Sequence, residues 1–154
     1  MEYIKRAPEA SCILCAMPGA GDDAAHHILF RGRHTYVVIN LYPYANGHLM
    51  IAPFAHVADY TDLDLPTLVE CSVVTQKTLQ CLRDAIAPDG INVGINLGRV
   101  AGAGIDDHVH LHVVPRWKGD TNFMPVVSDT KVISEHIRST YERLRPYFGE
   151  ITLD

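Results

Sequence analysis

Basic residues are scarce in this 154-residue chain: 13 Lys and Arg stand against 18 Asp and Glu, a net charge of −5 with its nine histidines neutral. Nucleic-acid binding relies on a surplus of Lys and Arg, so this balance argues against DNA or RNA as a general partner. Long hydrophobic runs are missing as well. None reaches the roughly 18 residues of a membrane span, and Met1-Glu2-Tyr3-Ile4-Lys5-Arg6 lacks the apolar core of a secretory signal. The expected location is cytoplasmic, with no membrane partner. Cysteine is sparse too. Four thiols in a chain without an export signal read as free thiols or metal ligands rather than as a disulfide framework. Repeats, linkers and low-complexity tracts are absent. What remains is 47% hydrophobic and 20% charged, the composition of an ordinary globular chain of one domain.

The pattern along the chain predicts a single domain over 1–154: an N-terminal loop over 1–26 that carries Cys12-Ile13-Leu14-Cys15, a core over 27–117, and a C-terminal loop and helix over 118–154. Pro8, Pro18, Gly19 and Gly21 break any periodicity in the first two dozen residues. His27 to Phe30 and His34 to Leu41 read as strands joined at Arg31-Gly32, and His48 to Pro53 as a third after the turn Tyr42 to Gly47. Apolar residues at Leu68, Cys71, Leu79, Leu82 and Ile86 predict a long helix from Leu65 to Ala87, with Asp64 as its cap and Pro66 in its first turn. Ile91 to Leu97 and Val109 to Pro115 read as strands. A second helix is expected from Ser134 to Arg145, stopped by Pro146. This order predicts an α+β fold, a mainly antiparallel β-sheet with two helices.

The chemically informative stretch is His108-Val109-His110-Leu111-His112-Val113-Val114. Strand side chains alternate faces, so the three histidines share one face and Val109, Leu111 and Val113 the other. Neighbouring imidazoles then stand about 6.5–7 Å apart, near enough to border one small ligand. A metal site built from the strand alone suits this spacing poorly, because the first and third rings lie too far apart for tetrahedral ligation. Nucleophilic catalysis, with one imidazole attacking and another delivering a proton, suits it better. The preceding loop, Asn96-Leu97-Gly98-Arg99-Val100-Ala101-Gly102-Ala103-Gly104, has the small residues that let backbone N–H groups cradle an anion, and Asn96 adds a side-chain donor.

These residues resemble the histidine triad (HIT) signature, His-φ-His-φ-His-φ-φ, with every position filled. Upstream, Asn40-Leu41-Tyr42-Pro43-Tyr44-Ala45-Asn46-Gly47-His48 resembles the N-x-x-P-x-x-x-G-H segment of the Fhit-like branch. The resemblance covers roughly Cys12 to Trp117. It implies an α+β fold, a homodimer whose sheets join across the subunits, and cleavage or transfer of nucleoside phosphates at the α-phosphorus. By motif position it makes His110 the nucleophile of a transient nucleotidyl-histidine and His112 the group that assists the leaving oxygen. Asn40, Asn96, Gly104 and His112 fall at nucleotide-contacting positions, and His48 near the site in a structural role. The substrate class implied is a dinucleoside polyphosphate such as diadenosine tetraphosphate, or a nucleoside phosphoramidate, with hydrolysis as the expected outcome. Fhit and Hint proteins carry glutamine where this chain has Gly104. That departure, with Gly119-Asp120-Thr121-Asn122-Phe123-Met124-Pro125, keeps a phosphorylase or nucleotidyltransferase as the alternative. A nucleotide sensor without turnover is the second.

One Cys-x-x-Cys supplies half of a tetrahedral metal site. Read alone, Cys12 and Cys15 are such a half-site, a redox pair or a metal-free buried pair. Resemblance to CxxC-bearing HIT proteins and to galactose-1-phosphate uridylyltransferases implies a structural zinc held by Cys12, Cys15, His56 and His108, and no organic cofactor. Cys71 and Cys81 fall within the long helix as core or surface thiols. His26, His27, His34 and His136 are expected to be solvated. Trp117 is a candidate for stacking on a base or for the core or a dimer interface, and Tyr42 and Tyr44 for bordering a nucleoside pocket or rigidifying their turn.

Overall fold

A computed structural model describes residues 12–120 and 135–153. Five strands, β1 (Ile28–Arg31), β2 (Thr35–Ile39), β3 (Leu49–Pro53), β4 (Gly90–Ile95) and β5 (Leu111–Arg116), form one sheet in the order β1-β2-β3-β5-β4, every neighbouring pair antiparallel. Among the described residues three α-helices accompany it: α1 (Ile13–Gly19), α2 (Leu65–Ile86) and α3 (Ile137–Phe148). The α+β class with an antiparallel sheet is as the sequence predicts.

Period-two alternation sorts the core. Val37, Ile39, Leu49, Ile51, Leu111 and Val113 face the helices α2 and α3 and pack with Cys71, Val74, Leu82, Leu144 and Phe148. Tyr36, Val38, Met50 and Ala52 point to the opposite face and pack under α1 with Leu14 and Met17. Both faces of β2 and β3 are therefore covered, and every residue of the two strands is buried. Cys71 and Cys81 are core thiols of α2.

Helix α2 begins as predicted. Asp64 caps it, its carboxylate accepting from the Thr67 N–H at 2.9 Å, and it ends where Ala87 adopts the left-handed conformation. Glu70, which no motif singles out, is buried midway along its first half. Its carboxylate accepts from the backbone N–H groups of Arg33, His34 and Thr35 and from the Thr35 hydroxyl, so it closes the β1–β2 turn from inside. Gly32 is required there, because a Cβ would collide with that carboxylate.

Four expectations are corrected. The first two dozen residues are not all loop: α1 runs Ile13–Gly19 with Pro18 inside it. Pro18 has no N–H for the Leu14 carbonyl four residues earlier, and the Tyr36 hydroxyl donates to that carbonyl instead, at 2.6 Å. Pro146 does not stop the last helix but lies within α3, near its end, where the carbonyl it cannot serve belongs to exposed Glu142. The ladder of β5 starts at Leu111, so His108 and His110 sit on a lead-in whose Val109 N–H is held by the Val57 carbonyl at 2.7 Å. His27 is half-buried with its ring edge-on to Tyr141, rather than solvated. Ser134 and Thr121 to Pro125 lie outside the described residues. No helix among the described residues is long and apolar enough to cross a membrane.

Candidate active site

The triad histidines do not all line one cavity. His110 and His112 line a cavity of about 340 Å³ beside β3, whereas His108 turns to a separate cluster. The cavity has an apolar end, walled by Ile13, Leu14 and Met17 of α1 with Ile39, Met50 and Ile105, and a polar end with Asn40, Gly104, His110 and His112. Its size and its contrast between ends suit a small amphipathic ligand. Tyr42 and Tyr44 contribute to the wall.

The proton positions at the polar end follow from neighbours that can only accept or only donate. His110 is 4% exposed, and its Nδ1 lies 2.8 Å from the His108 carbonyl. A carbonyl only accepts, so this nitrogen carries a hydrogen, and Nε2 is the ring nitrogen on which a lone pair can stand. His48 is fully buried, and its Nδ1 accepts from the Tyr44 backbone N–H at 3.0 Å. Its hydrogen is then on Nε2, which stands 2.9 Å from Nδ1 of His112. His112 must accept there and so carries its own hydrogen on Nε2. The two catalytic candidates are thus complementary, one ring with a free lone pair and one with a donor. Their centroids are 4.8 Å apart. Burial, then repulsion from His110, pushes the His112 pKa down to about 4, so the ring is neutral near pH 7.

Asn40 lines the cavity, its Oδ1 holding the Tyr42 N–H at 2.9 Å. Gly104 lies on the wall, and among the described residues no atom comes within 4 Å of where a Cβ would stand, so they leave space at this position. Asn96 is not among the cavity-lining residues. Its amide donates to the Gly102 carbonyl at 3.2 Å and braces the glycine-rich loop. Trp117 is not among them either.

The second cluster joins Cys12, Cys15, His56 and His108, whose donor atoms all lie within 4.8 Å of one another. Nε2 of His108 donates to the Pro53 carbonyl at 2.9 Å, which leaves Nδ1 with its lone pair facing the cysteines. Separations from that Nδ1 are 3.4 Å to Cys12 Sγ, 3.4 Å to Cys15 Sγ and 3.3 Å to His56 Nδ1. Cys15 Sγ is 3.3 Å from His56 Nδ1. A tetrahedral ion with metal–sulfur bonds of about 2.3 Å and metal–nitrogen bonds of about 2.0–2.1 Å requires sulfur–nitrogen edges of about 3.5 Å and a nitrogen–nitrogen edge of about 3.3 Å. The donor set fits such an ion. Burial and the neighbouring Cys12 push the Cys15 thiol up to about 11, and a cation shared between the two would reverse that.

Sequence reasoning missed the α1 wall. Ile13, Leu14 and Met17 form one apolar helical face, but Pro18-Gly19-Ala20-Gly21 directly after them reads as a loop. The link from His48 to His112, 64 positions apart, leaves no local signal.

Residues 22–119 match the HIT domain. An AP-4-A phosphorylase of Mycobacterium tuberculosis is 42% identical over 113 residues, 73% of this chain and 58% of that protein. The chain thus spans little more than half the length of that curated relative. Among solved structures, a Zn-bound histidine triad family protein from Mycobacterium smegmatis superposes with a TM-score of 0.72 at 25% identity, covering 91% of this chain and 94% of its own. A uridylyltransferase shares the fold, with a TM-score of 0.72 at 15% identity over 94% of this chain and 47% of that one. With His110 and His112 on the cavity wall and the match running through all five strands, this chain belongs to the HIT domain family.

Proposed function

We propose that the protein is an enzyme that cleaves a dinucleoside polyphosphate at an α-phosphorus through a nucleotidyl group carried on His110. The observation that supports this best is the pair of opposite proton positions: a lone pair on His110 Nε2 beside a hydrogen on His112 Nε2, both on the cavity wall. The apolar end takes the base, and Asn40 lies where the ribose would pass. His110 Nε2 attacks phosphorus, forming the P–N bond as the phosphoanhydride P–O bond breaks. His112 Nε2–H donates to the departing oxygen or to a nonbridging one, where charge develops. Backbone N–H groups of the loop near Gly104 complete the cradle, and Asn96 serves by holding that loop.

An incoming oxygen then breaks the P–N bond and restores His110. Inorganic phosphate is the acceptor favoured here, because the relative at 42% identity is an AP-4-A phosphorylase and the space at Gly104 leaves room for an anion. Diadenosine tetraphosphate and phosphate would then yield ATP and ADP. Water is the second reading, favoured by the intact third histidine, and would yield ATP and AMP. Incubation with and without phosphate separates them: ADP only when phosphate is present supports the first, AMP in water the second. Binding without products would favour a sensor. His110→Ala should lower kcat by at least about 10³-fold and remove the covalent nucleotidyl adduct detected by mass analysis. Unchanged turnover would refute the assigned nucleophile.

Zinc is the ion that the Cys12, Cys15, His56 and His108 set suits best, supported by the donor geometry and by the Zn-bound relative. Four protein ligands close the site, so its contribution is structural. A homodimer joined through β4 and a cytoplasmic location complete the reading. β4 is an edge strand whose outer side pairs with nothing among the described residues, and Val93, Leu97 and Val100 are exposed on or after it.

A further inference from the structure

The metal cluster and the cavity are built from the same turn of the same short helix. In Cys12-Ile13-Leu14-Cys15 the outer residues reach the cluster while the inner two face the cavity, and Met17 adds to the wall one turn later. The other two cluster residues, His56 and His108, belong to the sheet side of the molecule, where the His108 Nε2 is fixed to β3. An ion shared by the four would therefore clamp α1 to the sheet at one point. Against that clamp the described residues offer α1 three other anchors: the Tyr36 hydroxyl on the Leu14 carbonyl, the exposed Arg31 guanidinium on the Pro18 carbonyl at 2.8 Å, and apolar packing on Tyr36, Val38 and Met50.

We infer that the metal centre and the nucleoside cavity are thermodynamically coupled through α1, so that filling either site raises the affinity of the other. This rests on the reading of the cavity as a nucleotide site. The physical reason is shared ordering. A base entering the apolar end needs Ile13, Leu14 and Met17 held against Ile39 and Met50. The ion needs Cys12 and Cys15 held against His56 and His108. Placing the helix once satisfies both, so whichever ligand binds second meets a helix already placed. The metal is then a determinant of nucleotide affinity and not merely of folding. Chemistry at His110 is affected less, because its Nδ1–H bonds to a backbone carbonyl, that of His108, within the lead-in itself.

Linkage makes the test reciprocal: the factor by which AMP tightens zinc must equal the factor by which zinc tightens AMP, and couplings of this kind span about 5- to 150-fold. The experiment measures zinc affinity by chelator competition with and without saturating AMP, and AMP affinity by calorimetry on loaded and metal-free protein. The expected result is a shift of at least about fivefold in both, equal within error. AMP that binds the loaded protein while zinc affinity stays unmoved overturns the coupling alone. Failure of AMP to bind the loaded protein at all overturns the nucleotide reading, and the coupling with it.

Circular dichroism must show that the metal-free chain keeps its sheet. Should it unfold, Tyr36→Phe answers the same question in loaded protein, since it frees the Leu14 carbonyl and keeps all four ligands. With the d–d spectrum of a cobalt-substituted sample retained, AMP affinity should fall by about three- to tenfold, the loss expected for one tether of the wall. An unchanged AMP affinity in that variant overturns the inference.

Discussion

The hydrogen on His112 is placed by a side chain that lies outside the cavity wall. His48 holds that role because its own Nδ1 is committed to the Tyr44 N–H, leaving only Nε2 as donor. Gly47 precedes it with φ of +73°, a conformation glycine adopts without penalty, and a Cβ there would press on Ile86. His48→Ala should leave the nucleotide KM within about threefold and lower kcat by about 10²-fold, because His112 loses the partner that selects its tautomer. Steady-state kinetics separate this from a merely structural loss, which would move both constants. The depressed pKa of His112 carries a sign. In the unfolded chain the ring takes up a proton near pH 6.5, whereas in the folded chain it does so only near about pH 4. Between those values the unfolded state binds more protons, so stability is full above pH 6.5 and declines as pH falls toward 4. Chemical denaturation across that window should show the decline, and His112→Gln should flatten part of it.

At the scale of elements, the β1–β2 hairpin depends on a carboxylate supplied by α2. Burial alone would raise the Glu70 pKa, but hydrogen bonds from His34, Thr35 and Arg33 outweigh it and hold the group below the ordinary carboxylate range. Its contribution is therefore present at neutral pH and lost as pH falls through the depressed value. Glu70→Ala strands three backbone N–H groups and the Thr35 hydroxyl, and should cost about 2–4 kcal/mol, measured as a lowered denaturation midpoint with Glu70→Gln in between. None of this was visible in sequence. The α2 stripe and its Asp64 cap were visible, because capping and helical periodicity are local. Helix α1 was not, since Pro18 breaks the local pattern and only the distant Tyr36 hydroxyl makes the break tolerable.

Across the whole molecule, two sites share the one short segment from His108 to His112. His108 goes to the cysteine cluster, and His110 and His112 go to the cavity. The sheet also has an open side. Val93 on β4 is 45% exposed, and among the described residues nothing pairs with the outer edge of that strand. If two copies join there, Val93→Asp should convert the dimer to monomer in sedimentation equilibrium while leaving the circular dichroism of the fold unchanged, because it places like charges across the symmetric junction. A variant that stays dimeric would move the interface elsewhere.

By itself the sequence determined the α+β class, the triad and the Cys12–Cys15 half-site, because those signals are carried by spacing along one segment, and family resemblance added His56 and His108 to the metal-site candidates. Tertiary structure alone decided that the triad divides between two sites, that His48 sets the hydrogen on His112, and that α1 walls the cavity it shares with the metal cluster. Those are contacts between residues tens of positions apart, and chain spacing does not encode distances that only packing brings to hydrogen-bond length.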